Sequence, residues 1–162
     1  MTFILREQRA ADVAGAFRRY REYLKQERHR FPPGALALAT SEWYFDPRDH
    51  RCPHDSWLER LLVQEIGTGD RQEERTVALS VQLLGAYHEL VLTFTYARAY
   101  RYVLDAWEIR DGHRDWCYDE FRIAPDGRLV HEVEWSGPGE NARWLIEADD
   151  VALEWHPRPR GT

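Results

Sequence analysis

From Ala10 to about Arg28 the apolar positions Val13, Phe17, Tyr20 and Leu24 recur at spacings of four, three and four. That is one stripe of an amphipathic helix, with arginines around the other side, and it predicts a helix over residues 10–30. "FPPG" at 31–34 ends it, because the two prolines lack the N–H donors a helix needs. Residues 35–56 hold no sustained period and read as an irregular connection with room for one short element. Connections of that length often carry function.

From Trp57 onward the period shifts towards two. "WLERLLVQEI" suits a helix capped by Asp55 or a strand, and the hairpin-like loop "GTGDRQEE" behind it favours the strand. "TVALSVQLL" alternates cleanly, and in "HELVLTFTY" the residues Leu90, Leu92, Phe94 and Tyr96 share a face. "YRYVLDAWEI", "DWCYDEFRI", "LVHEVEW", "ARWLIEA" and "VALEWHP" follow, with short polar breaks between them. Connections this short cannot carry crossover helices, so the pattern is an antiparallel meander of about eight strands over 57–156. The expected fold class is α+β, one domain over 1–162. In it the N-terminal helix packs on a curved sheet that is either partly closed into a barrel or folded as a two-layer sandwich.

"DEFRIAPDGRLVHEVEW" at 119–135 is the most legible stretch. Pro125 presets φ, Asp126 can bond its own backbone, and Gly127 supplies the positive φ of a three-residue loop. With Ala124 facing Arg128, one face carries Cys117, Asp119, Phe121, Ile123, Leu129, His131, Val133 and Trp135. The other carries Trp116, Tyr118, Glu120, Arg122, Val130, Glu132 and Glu134. The first face is mostly apolar and is expected to point at the core. It holds Asp119 and His131 as diagonal neighbours, either a satisfied polar pair or the carboxylate-oriented base of a pocket, and these are the candidate catalytic residues. The second face sets Glu120 opposite Glu132. It reads as a solvated face, as an anionic docking surface, or as a cation site completed by Glu147 or Glu154. Aromatic residues among charges of one sign favour docking over a metal, so Trp116, Tyr118, Glu120, Glu132 and Glu134 are the candidate partner-binding set.

Charge supports that choice. The net charge is −6, with residues 1–56 at +2 and residues 57–162 at −8. An acidic β-rich part repels phosphates, which argues against nucleic acid as a ligand there. The basic run "RRYREYLKQERHR" is interleaved with Glu22 and Glu27 and reads as a solvated helix face. No apolar run reaches the roughly 20 residues of a membrane span, and Arg6, Glu7 and Arg9 interrupt any signal-peptide core. The chain is therefore expected in the cytoplasm, without membrane contact. Cys52 and Cys117 read as free thiols in a reducing compartment. In "DHRCPHD", His50, Cys52 and His54 alternate, but a structural zinc needs four ligands at characteristic spacing, so an ordinary loop is favoured. His88 and Glu89 read as surface residues at the sheet's rim. The familiar nucleophile, P-loop and dinucleotide motifs are absent from the sequence. No metal or other cofactor is expected.

At "LLGAYHELVLTFTY", "DWCYDEFRI" and "VHEVEWS…RWLIEADDVALEW" the chain resembles a group of small bacterial proteins without an established activity, over roughly residues 54–156. The resemblance carries over no functional residue. In general character, acidic and aromatic on a β-rich scaffold, the chain is also similar to bacterial immunity proteins that neutralise toxins. The expected function is a binding module, immunity-like in style, that docks a basic protein surface. The alternative is an enzyme or small-molecule binder with its pocket beside Asp119 and His131.

Overall fold

The structure is a computed structural model that describes residues 1–106, 109, 112–136 and 142–159. It is α+β. Three short helices, α1 (Arg6–Ala11), α2 (Val13–Glu27) and α3 (Pro33–Thr40), and a 3₁₀ turn at Glu42–Phe45 precede six strands. The strands are β1 (Trp57–Thr68), β2 (Glu74–Leu84), β3 (Leu90–Leu104), β4 (Asp115–Ile123), β5 (Leu129–Ser136) and β6 (Ala142–Pro157). All pairings are antiparallel, and the order β1-β2-β3-β6-β5-β4 closes into a barrel.

Six strands replace the eight expected, because two pairs of predicted strands are continuous. "HELVLTFTY" and "YRYVLDAWEI" join in β3, and "ARWLIEA" and "VALEWHP" join in β6. The polar breaks read as strand ends are bends within a paired ladder. Arg98 takes a left-handed φ of 53° between register shifts, and Ala97 still pairs with Asp150. Positions 107–108 of the expected fourth strand lie outside the described residues.

The predicted single helix is two. Asp12, extended at ψ 98°, ends α1, and its Oδ1 caps α2 by accepting the Gly15 N–H at 2.8 Å. The irregular connection holds α3, whose first turn contains Pro33 and whose Gly34 and Ala35 N–H groups bond the Asp150 carboxylate of β6 at 2.9 Å each. Gly34 is required there, since a Cβ would come within 2.2 Å of the Val151 carbonyl.

Among the described residues the barrel closes at one pair, Trp57 with Asp115, supported by Trp116 N–H to Ser56 O at 2.9 Å and Asp55 N–H to Trp116 O at 2.8 Å. Beyond Leu58, β1 follows β2 and leaves the ladder side of β4 to helix α2. The Tyr20 hydroxyl accepts the Phe121 N–H at 2.9 Å and donates to the Phe121 carbonyl at 3.0 Å. The Tyr23 hydroxyl accepts the Ile123 N–H at 2.7 Å. Two tyrosines thus stand in for a strand, satisfying backbone groups that could not be buried bare. The core lies between these helices and the barrel wall. Ile4, Tyr20, Leu24, Tyr44, Leu79, Val81, Phe94, Tyr96, Trp116, Phe121, Val133, Trp135, Trp144 and Ile146 are all buried in it.

Candidate functional site

The hairpin has the turn and most of the register its residues imply. Gly127 sits at φ +92°, its N–H bonds the Ala124 carbonyl at 2.9 Å, and the Ala124 N–H bonds Arg128 O at 2.8 Å. Ile123 faces Leu129, Phe121 faces His131, Asp119 faces Val133, and Glu120 faces Glu132. The register shifts between Trp116 and Tyr118, which leaves Cys117 unpaired in a bulge. One extra residue exchanges the faces below it. Trp116 is therefore inside with Trp135, stacked 5.0 Å from Phe94 at an interplanar angle of 7°, and is not a partner-binding residue on an outer face.

Asp119 and His131 face the interior, as the alternation implies, but they do not open onto a pocket. His131 is 0% and Asp119 4% exposed. Asp119 Oδ2 accepts the Tyr44 hydroxyl at 2.6 Å and lies 3.0 Å from His131 Nε2, while Oδ1 accepts the Trp116 indole N–H at 3.1 Å. His131 Nδ1 lies 2.6 Å from the Tyr96 hydroxyl. With Nε2 donating to the carboxylate, Nδ1 is left to accept from Tyr96, so the chain of hydrogen bonds is complete at every member. Burial, with Asp119 adding to it, holds the Tyr44 and Tyr96 hydroxyls well above the ordinary phenol range. Phe121, 4.1 Å away and nearly parallel, covers the imidazole. The arrangement is a satisfied polar cluster that locks the register, and a substrate has no access to the candidate catalytic residues as they stand.

The outer acids are not exposed either. Glu120 is 0%, Glu132 5% and Glu134 5% exposed. The chain's own first residues lie across them as a strap. Glu120 Oε2 accepts the Phe3 and Ile4 N–H groups at 2.8 Å each, and Glu134 Oε2 accepts the Arg6 N–H at 2.8 Å. Two arginines face the remaining oxygens as ion pairs, though Glu120 Oε1 and Arg122 Nε meet at an angle that makes no hydrogen bond. Arg122 Nε is 2.9 Å from Glu120 Oε1 and its Nη2 touches Glu132, while Arg143 reaches Glu132 at 3.0 Å and Glu134 at 2.7 Å. Burial raises the Glu120 carboxyl pKa, only partly offset by the strap N–H groups and Arg122. Tyr118, half-buried, lies under Arg9 at 4.1 Å. The expected open acidic surface is thus an internal contact. Like charges collect on this hairpin because five N–H and guanidinium groups of the same chain converge on them.

The histidine-cysteine loop does not converge on a metal. Cys52 is buried, its thiol donates to Tyr44 O at 3.1 Å, and burial pushes it up to about 12. His50 stacks on Tyr87 and contacts Glu89 at 2.8 Å, whereas His54 turns to Tyr118. Glu147 pairs with Arg101. Among the described residues no three His, Cys, Asp or Glu side chains are grouped for a metal ion.

A concavity lies between α2 and α3, where the amphipathic reading placed only a solvated helix face. It is a half-open groove of about 550 Å³. Phe17, Tyr20, Leu24, Leu36, Ala39 and Phe45 form its apolar surface, and Arg21, Lys25 and Arg28 stand along one side. All three cations are exposed, and none has an ion pair among the described residues, whereas neighbouring Arg18 and Arg30 pair with Asp12 and Glu27. Glu42 is the one acid in the lining. The sequence carried a signal: positions 17, 20 and 24 and positions 21, 25 and 28 form adjacent stripes of one helix. The opposite wall was not legible, because "PGALALAT" has no helical period. Comparison of the chain with protein families, with curated proteins and with solved structures finds no match. No helix among the described residues is long and apolar enough to cross a membrane.

Proposed function

We propose that this protein is a binding module and that its ligand is an acidic amphipathic segment of a partner protein, seated in the groove between α2 and α3. The observation that carries this reading is the line of three unpaired cations above an apolar floor. Seven residues of helix separate Arg21 from Arg28, about 10 Å along the axis. Acidic residues at matching spacings on a bound helix can reach all three, whereas one small carboxylate could engage only part of the row. The half-open form of the groove also suits a segment laid along it better than an enclosed ligand. The apolar floor would supply most of the affinity, and the cations would supply orientation and association rate. This keeps the class expected from the sequence and reverses the charge of the partner, since Glu120, Glu132 and Glu134 are held by groups of the same chain.

The test uses two labelled helical peptides with the same Leu and Phe face, one with Glu and one with Lys at three positions spaced four and three apart. The Glu peptide should bind and weaken with salt, and the Lys peptide should not. Replacing Arg21, Lys25 and Arg28 together with Glu should invert the preference. Equal binding of both peptides, or none of the Glu peptide, would overturn the proposal.

A further inference from the structure

Strand β1 is an edge over most of its length. It runs beside β2 from Trp57 to Thr68, whereas among the described residues β4 meets it at Trp57 alone. No backbone hydrogen bond among the described residues joins residues 60–68 to anything but β2. The β1–β2 register is unbroken there, since its one shift lies between Leu58 and Arg60. Alternate N–H and C=O groups along this stretch therefore point out of the sheet without a protein partner. The side chains beside them are open as well. Leu61, Val63 and Glu65 stand opposite the inward-facing Val81, Leu79 and Val77, while Leu62, Gln64 and Ile66 stand opposite Ser80, Ala78 and Thr76. Residues 62–66 are nonetheless exposed on both faces, with Leu62 at 45%, Val63 at 39% and Ile66 at 43%.

Edges of this kind are ordinarily blunted by proline, lysine, an inward-pointing charge or a covering element. "RLLVQEIGT" at 60–68 contains no proline or lysine, and its one central charge, Glu65, is paired with Arg75 at 3.2 Å. The stretch suits pairing with itself. Two copies of one strand pair antiparallel about a two-fold axis normal to the sheet, and residues that face each other then lie on the same side of it. One residue must therefore sit on the axis opposite itself. Gln64 is the midpoint of 60–68, so with Gln64 on the axis the whole open edge is paired. Leu62 then faces Ile66 of the second copy, and the symmetry makes that pair twice. Val63 faces Glu65, Leu61 faces Gly67 and Arg60 faces Thr68, so no like charges stand opposite. Arg60 also comes to the end of the ribbon that carries Asp70 of the second copy, and neither has an ion pair among the described residues. The neighbouring registers are worse. An axis at Leu62 sets Glu59 against Glu65, an axis at Glu65 sets that acid against itself, and an axis at Val63 sets Leu62 against Gln64 and Arg60 against Ile66. Charge and apolar pairing select the same alignment.

We propose that the open edge of β1 takes a second copy of the chain, giving a two-fold dimer with Gln64 on its axis. The sheets of the two barrels then run on through the paired β1 strands. Backbone hydrogen bonds join the strands, Leu62 and Ile66 of both copies form one apolar patch on the outer side, and Arg60 closes it at each end. Each chain offers one such stretch, and the pairing uses all of it, so the assembly stops at two. This proposal is independent of the groove and of what it binds.

The experiment follows the full chain by sedimentation velocity from about 1 µM to about 100 µM, where a passage from monomer to dimer is expected. Cross-linking then reads the register. Facing residues of an antiparallel pair have Cα atoms about 4.5–5.5 Å apart, within disulfide range, so Gln64→Cys should link two chains on mild oxidation. Leu62→Cys should not, because its counterpart lies about 13 Å further along the partner strand. The native Cys52 and Cys117 are buried and do not compete. Leu62→Lys with Ile66→Lys sets lysine against lysine and should weaken the dimer by at least about tenfold, whereas Leu62→Glu with Ile66→Lys sets opposite charges together and should restore it. A chain that stays monomeric at the top of the concentration range would overturn the proposal without any variant, leaving the edge for an extended segment of a different protein. So would cross-linking through Leu62→Cys as efficient as through Gln64→Cys, or a folded double-lysine protein that dimerises like the unaltered chain.

Discussion

Asp119→Asn is the sharpest probe of the barrel interior. The two side chains have nearly the same shape, and the carboxylate accepts three hydrogen bonds. If the amide turns its NH₂ to the Oδ1 position, it confronts the Trp116 indole N–H, and one buried donor loses its acceptor. If it turns the other way, it confronts both the Tyr44 hydroxyl and His131 Nε2. Each buried donor left unsatisfied costs about 1–3 kcal/mol, and the surviving bonds lose their charge assistance, worth about another 1 kcal/mol each. The expected loss is about 3 kcal/mol or slightly more. With a urea dependence of about 2 kcal/mol per molar for a chain of this size, the unfolding midpoint should fall by about 1.5 M. Tyr96→Phe, which breaks the far end of the same chain of bonds, should cost about 1–2 kcal/mol. A midpoint shift for Asp119→Asn below about 0.5 M would refute the reasoning, since it would mean that water already reaches the carboxylate and that a pocket exists. A cycle with Tyr44→Phe should show coupling above about 0.5 kcal/mol.

Two further outcomes rest on the same structure. Burial holds Tyr20, Tyr44 and Tyr96 well above the ordinary phenol value of 10.0, so above that pH the unfolded chain releases protons that the folded chain retains. Stability should therefore fall as pH rises through 10, and titration at an ultraviolet phenolate band should show three tyrosines ionising only as the protein unfolds, not earlier. Glu120→Ala removes the acceptor of the Phe3 and Ile4 N–H groups, so hydrogen exchange should accelerate at both amides by more than tenfold, on the order of 2 kcal/mol, while β2 and β3 keep their protection.

Much of this architecture could be read from the chain because one signal at a time governs it. The stripe Phe17, Tyr20, Leu24 gives α2, the alternation in "TVALSVQLL" gives β2, and "APDG" gives a turn whose chemistry admits few registers. The readings failed where two signals compete or a signal lies far off in the chain. In "DWCYDE" three apolar or aromatic residues stand in a row and either face could claim them, so nothing local marks the bulge that turns Trp116 inward and leaves Cys117 unpaired. Asp12 looks like one more polar position of a helix until its side chain caps Gly15. A polar pair such as Asp149 and Asp150 reads as a loop when Asp150 is in fact the cap of a helix more than a hundred residues earlier. The acidic face shows the limit most clearly. Three acids on one face of two strands suggest a surface, and only the return of residues 3–6, with Arg122 and Arg143, makes them interior.

That return governs how the molecule can assemble. The bonds from the strap to Glu120 and Glu134 close spans of 116 to 128 residues, so they can form only after strands β4 and β5 have met. Residues 3–6 are thus made well before the hairpin they cover and settle only after it. Until they do, the half-built barrel presents Glu120 and Glu134 to water without their N–H partners, and a wall that carries charge in this way is a poor surface for another chain to pair with.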